Sequence, residues 1–342
     1  MNFSILFIIF SLVLVELWAE VQPGGAYITW DDLTVSSGND EKRVIVVNPN
    51  GGGDSTTVQG AVDMVPDNNA DRVKIHILPG LYSEKVRIPA SKPYISLIGD
   101  PNQASATVIT WHDKASDKGN DGSELGTENS ATVAVESDYF CASWITFQLL
   151  MKQNAAVGGG QAVALRTAGD KNVFYESRFL GSQDTLLDEY GTHFFFRCFI
   201  QGSVDFIFGF ATSLYRECTI SVLASPYAIT AHGRVSANDN TGYSFVNCTV
   251  TGNGPVYLGR AWGDYSRVIY SYSEFDVDIF PQGWSDWGVS SKDNTVVFGE
   301  YECKGRGADR SGRVGYSKEL SDSEANPYLG ESFISGELWL GI

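Results

Sequence analysis

Five segments in the middle of this chain share one outline: FYESRFLGSQD, FFRCFIQGSVD, LYRECTISV, FVNCTVTG and YSYSEFD. Each places an aromatic residue, two further residues, a small residue and then an apolar one. The small residues are Ser177, Cys198, Cys218, Cys248 and Ser273, and the intervals between them are 21, 20, 30 and 25 residues. A β-rich unit recurring at that period is too short to bury its own apolar face, so units must stack into a solenoid. Each unit becomes one coil, and successive coils pair through parallel strands about 4.8 Å apart. Equivalent side chains then form ladders. The small residues are expected to make one inward ladder and the aromatics another. A leucine-rich repeat has a similar period but needs L-x-x-L-x-L units, which are absent, and a sandwich would show hairpin turns without register between units. The expected fold is therefore all-β, a parallel β-helix.

The rest of the chain fits that frame. From about residue 73, short apolar runs such as RVKIHILPG, YISLIGD, ATVAVESDYF and ASWITFQ alternate with Gly, Asn, Asp and Ser, the pattern of many short strands. Upstream, VIVVNPNGGGDSTTVQGAVDMVPDN reads as strand, glycine turn and short helix, with Thr56 and Gln59 in capping-box spacing. No Gly-Lys-Ser/Thr follows the glycines, so a phosphate loop is not indicated. Residues 1–19 are nearly all apolar with one charge, Glu16, and are expected to be a secretory signal cut near Ala19, leaving 20–342 as one β-helix domain. A net charge of −17 argues against nucleic acid as a partner, and no later segment is long and apolar enough for a spanning helix. The five cysteines are odd in number and lack CxxC spacing, which speaks against a zinc site or redox pair. In the solenoid frame they read as buried small residues, with a disulfide between adjacent coils as the alternative. The four histidines are scattered without metal-ligand spacing.

The period exposes a site. GSQD at 181–184 and GSVD at 202–205 lie 21 residues apart, so Asp184 should stack on Asp205. One coil earlier, Gln161 stands 22 residues before Gln183. One column then holds two glutamines and the next holds two aspartates, provided a tight turn or bulge brings both columns outward. Two carboxylates at strand spacing, roughly 5 Å, repel unless one keeps its proton. That separates their roles: an ionised nucleophile or base and a protonated acid. Glutamine amides are neutral donors suited to an oxyanion. The set describes acyl transfer without serine, and no GxSxG nucleophile elbow is present.

At these residues the chain resembles the plant-type pectinesterases. The stretches that carry the resemblance are GLYSEKVRIP, SATVAV, QAVALR, GSQDTLLD, IQGSVDFIFG, LGRAW and PQGWSDW, in the family's order from about residue 40 onward. The resemblance implies a right-handed parallel β-helix that hydrolyses the methyl esters of pectin to methanol and free carboxylate, with no metal or organic cofactor. Asp205 of VDFIFG would be the nucleophile and Asp184 of SQDT the general acid and base. Gln183 and Gln161 would hold the oxyanion, Arg260 of LGRAW would orient Asp205, and Trp262 would face a sugar ring. Thr127 matches a substrate-contact position, with Gln161 and Arg260 also touching substrate. The chain departs from the family at Ser182, where an aromatic residue is common, and at Leu187-Asp188-Glu189, where Tyr-x-His is common; both border the groove. It carries no stretch resembling the inhibitor-like pro-region of some plant members. A secreted wall enzyme is expected, acting as a monomer on methyl-esterified pectin, with an inhibitor protein as a partner by resemblance alone. A pectate lyase or polygalacturonase would share the solenoid but leaves the two glutamines unexplained, and a non-catalytic carbohydrate-binding solenoid would have lost some of these positions.

Overall fold

From the coil that holds Glu176 onward, the chain turns its first corner on a single residue with left-handed backbone. The corner residues are Glu176, Arg197, Glu217, Asn247, Tyr272 and Glu302, with φ between 44° and 55°. That conformation is unfavourable for a residue with a Cβ, and hydrogen bonding between coils offsets it. The Glu176 N–H donates to Phe196 O at 2.9 Å, Arg197 to Arg216 O at 3.0 Å, and Glu217 to Val246 O at 2.9 Å. Because the corner residue points outward, the residue after it points inward. These inward residues are the small ones of the repeat, buried from Ser177 through Ser273. Each rung hydrogen-bonds a carbonyl of the preceding coil: Cys198 Sγ to Phe174 O at 3.3 Å, Cys218 Sγ to Phe195 O at 3.4 Å, and Cys248 Sγ to Tyr215 O at 3.4 Å. Cys303 adds a further rung on Tyr270 O. All five cysteines are free thiols, and burial pushes those of Cys218 and Cys248 well above the ordinary thiol range.

Three residues before each small position sits the aromatic ladder. Phe174, Phe195, Tyr215, Phe245 and Tyr270 stack at centroid distances of 4.7, 4.6, 4.5 and 4.5 Å, with ring planes within 12° of parallel. Offset stacking at this spacing adds to the burial of the rings themselves.

The computed structural model describes residues 27–35, 44–150, 160–224 and 226–342. The expected signal at 1–19 lies outside them. Among the described residues the coils build three parallel sheets, one of eleven strands and two of eight. The eleven-stranded sheet carries the aromatic ladder and runs from Val44–Val47 to Ser317–Glu319. After the left-handed corner the chain enters an eight-stranded sheet that includes Arg178–Leu180 and Phe199–Gly202. It then turns again into the second eight-stranded sheet, which includes Leu165–Thr167, Leu186–Asp188, Ile207–Gly209, Ala228–His232 and Tyr257–Ala261. The GSxD stretches form that second turn.

The first end of the solenoid and one flank are covered. The helix Val58–Asp63 places Val58, Ala61 and Val62 against the first coils. Its cap differs by one residue from the sequence expectation: Thr57, not Thr56, accepts from the Gly60 N–H at 3.1 Å. The reciprocal acid comes from the next coil, where Glu84 accepts from the Val58 and Gln59 N–H groups at 2.8 and 2.9 Å. At the outer face of the eleven-stranded sheet, Ile28–Thr29 pairs in parallel with Leu340–Gly341. Around that clasp Leu33, Phe333, Ile334 and Trp339 pack on Val173, Phe194 and Leu214.

Candidate active site

The two GSxD turns require their glycines. A Cβ at Gly181 would meet Thr185 Oγ1 at 2.6 Å, and one at Gly202 would meet Phe206 Cβ at 2.2 Å. The serines stack, with Ser182 Oγ and Ser203 Oγ 2.7 Å apart. Gln183 lies beside Val204 in a parallel bridge, and the Asp184 N–H donates to Val204 O at 3.0 Å. Asp184 and Asp205 therefore share a register, as the 21-residue interval predicts. Both are left-handed, with φ of 64° and 46°. This left-handed step supplies the tight turn that the sequence argument had to assume. It lets Leu186 and Ile207 point into the core while both aspartates sit at the mouth of the turn, 9% and 5% exposed.

Beyond the aspartates an outward row runs along the solenoid axis. Register places Arg166, Leu187, Phe208, Ala231 and Arg260 side by side on consecutive coils. Leu187, Phe208 and Ala231 form one apolar cluster. From Leu187 to Arg260 this row lines a cavity of about 410 Å³ that also takes in Asp184, Asp205, Trp262, Thr127, Glu128, Glu189 and Phe210. Of the residues expected from sequence, Asp184, Asp205, Arg260, Trp262 and Thr127 meet there. Gln161 and Gln183 do not line the cavity. They are half-buried one step before it, joined where the Ala162 N–H donates to Gln183 O at 3.3 Å. Phe206 is a core residue, whereas Phe208 faces the cavity.

The two carboxylates differ in their partners. Arg260 grips Asp205 with both prongs of its guanidinium: Nε donates to Oδ1 at 2.5 Å, and Nη2 donates to Oδ2. Its third nitrogen, Nη1, has no hydrogen-bond partner, and its plane lies against the face of Trp287. Asp184 has no such cation bonded to it. Burial, then the neighbouring Asp205 charge, push its carboxyl up to about 8, against a smaller opposing pull from Arg260. Burial also raises Asp205, but the Arg260 hydrogen bonds and charge draw it back. A proton shared by the pair thus resides first on Asp184.

Phe210, Tyr190 and Arg166 escaped sequence reasoning, whereas Trp262 and Glu189 were already expected at the groove. Trp262 packs on Phe210 at 4.8 Å between centroids, and Phe210 stacks on Tyr190 at 5.5 Å, making an aromatic wall along the groove. Glu189 is held by Arg166 Nε at 2.5 Å, and Arg166 Nη1 also reaches Glu136 at 3.1 Å. Extending the 21-residue register one position past each strand, from Glu189, would have found Phe210. Between Leu187 and Glu189, Asp188 points the other way, into the core. There it meets His193 Nδ1 at 2.5 Å and accepts from the Tyr215 hydroxyl at 2.6 Å.

Comparison with known proteins agrees with this arrangement. The pectinesterase family model matches residues 44–337. A curated relative from Arabidopsis thaliana, Pectinesterase QRT1, is 54% identical over 329 residues, covering 96% of this chain and 87% of that protein. A second from the same plant, putative pectinesterase 11, is 44% identical over 300 residues, covering 87% of this chain and 80% of that protein. Among solved structures, the pectin methylesterase from carrot superposes with a TM-score of 0.79 at 36% identity, covering 90% of this chain and 96% of that one. The Aspergillus niger pectin methylesterase reaches 0.75 at 29% identity, covering 90% and 96%. On the family match over most of its length and on these relatives, the chain belongs to the pectinesterase family.

Proposed function

We propose that this pectinesterase removes methyl groups from pectin with Asp205 as nucleophile and Asp184 as the proton carrier. One observation carries the assignment: two aspartates in the same turn of adjacent coils, of which Arg260 pairs only one. The paired Asp205 is held as the anion and aimed. One carboxylate oxygen attacks the ester carbonyl of a methylated galacturonate, and the carbonyl electrons move onto oxygen. The tetrahedral intermediate collapses, the bond to the methoxy oxygen breaks, and Asp184 gives that oxygen its proton, so methanol leaves. The anhydride between Asp205 and the sugar acid is then attacked by water. Asp184, now ionised, takes the water's proton, and the free acid and the Asp205 carboxylate are restored. Gln183 and Gln161 would turn their amide N–H groups toward the oxyanion from the edge next to the cavity. Arg260 brings its positive charge to the cavity where a sugar carboxylate can lie, Trp262 offers a ring face to the sugar, and Thr127 also lines the cavity.

The reading extends to location and partners. Residues 1–19 would direct the chain to the cell wall, and 20–342 would act there as a monomeric domain open to a proteinaceous inhibitor. Asn247, in the sequon Asn247-Cys248-Thr249, is exposed on a left-handed corner, where a glycan has room.

The test is methanol release from methyl-esterified pectin. Asp205→Ala and Asp184→Asn should each lose activity by roughly 10²–10⁴-fold, with circular dichroism unchanged. Retention of full activity by both variants would overturn the assignment.

A further inference from the structure

The two ends of the cavity floor are unlike. At one end stands a cation, Arg260, bonded to Asp205. At the other, beyond Leu187, two carboxylates enter the wall, Glu128 from the helical turn Gly126–Asn129 and Glu189 from the strand end. The cation in register with Leu187 is Arg166, and its Nε and Nη1 are already engaged by Glu189 and Glu136. Glu136 is itself shared with Arg87. Burial is the main influence holding Glu189 above the usual carboxylate range; Arg166 opposes it, and the Glu128 charge adds to it, so the two acids act on each other across the wall.

We propose that the position over Leu187 accepts a methyl-esterified, uncharged galacturonate and rejects the free acid. This rests on the reading of Asp184 and Asp205 as the catalytic pair. An ester methyl there covers the Leu187–Phe208 floor. A free carboxylate there faces Glu128 and Glu189 in a cavity that excludes part of the water, where like charges repel more strongly than in bulk solvent. The preference has a consequence for the product. Once a methyl is removed, the chain cannot slide so as to bring the new acid over Leu187; a sliding step can carry that acid only the other way, toward Arg260.

The probe is a set of hexagalacturonates, one fully methyl-esterified and six isomers each with one internal or terminal free acid. Methanol release is measured at low conversion, with the positions of loss read by mass spectrometry. Turnover of the fully esterified hexamer reports the catalytic assignment, and only the ratio between substrates reports this inference, so the two fail separately. At least one acid isomer should show kcat/KM lowered by about tenfold, ~1.4 kcal/mol of transition-state binding. Glu128→Gln, on an exposed turn, should shrink that ratio, and Glu128→Gln with Glu189→Gln should bring it below about threefold. Equal turnover of all isomers by the wild type, or a ratio unchanged in both variants, would overturn the proposal.

Discussion

Asp184 and Asp205 occupy the same turn of adjacent coils and differ in one neighbour, Arg260. That difference sets the pH behaviour. The nucleophile must be ionised and the acid protonated, so kcat/KM should be bell-shaped. It declines on the acid side as Asp205 gains a proton and on the alkaline side as Asp184 loses one near pH 8. Stability follows the same group. A carboxyl raised from 3.8 to about 8 keeps its proton in the native state and releases it in the unfolded chain. Between those values the native state binds more protons, so stability falls as pH rises, by up to ~1.4 kcal/mol per pH unit. Asp184→Asn removes this dependence. Its Tm advantage over the wild type should therefore widen from pH 5 to pH 8 in differential scanning calorimetry; parallel curves would contradict the raised carboxyl.

At the scale of the coil, the repeated outline does two jobs. A left-handed corner turns the chain, and the small residue after it reaches back to the previous coil. Tyr215 joins the ladders to the interior behind the site, stacking between Phe195 and Phe245 and donating to Asp188. Tyr215→Phe keeps the stack and leaves a buried carboxylate short of a donor, so urea unfolding should show a loss of about 1–3 kcal/mol. Cys218 and Phe195 could be placed from sequence because a period assigns a face. Cys303 was not recognised as a rung, although it stands 30 residues after Ser273. The Thr56 cap was one residue off because Glu84, from another coil, decides which N–H groups are satisfied. Gln183 bridges Val204, and Gln161 precedes Ala162, whose N–H donates to Gln183 O, but register does not say which way a half-buried side chain points. The Arg166–Glu189–Glu136 pairing was missed because it crosses coils of unequal length.

The whole molecule is a stack that must be closed at its ends and along its flank. The clasp of Ile28–Thr29 with Leu340–Gly341 lies on the eleven-stranded sheet, while the cavity opens from a different sheet. Stability and chemistry are thereby separated in space. Trp339 is 1% exposed and donates to Ile334 O at 2.9 Å. Trp339→Ala should cost about 3–5 kcal/mol and lower Tm by roughly 10 °C. Methanol release per folded molecule at 25 °C should stay near the wild-type rate, and a comparable loss of rate would show that the flank and the cavity are coupled.

The shared register of Gly181–Asp184 and Gly202–Asp205 has a further consequence for how such a chain can change. Coils can be gained or lost at either end, lengthening or shortening the groove, while the reacting atoms keep their spacing. A coil gained between residues 184 and 205 would push the two carboxylates a further pitch apart, and one gained between 205 and 260 would take Arg260 away from Asp205. The solenoid is thus free to vary in length only outside the run of coils from Gln161 to Arg260.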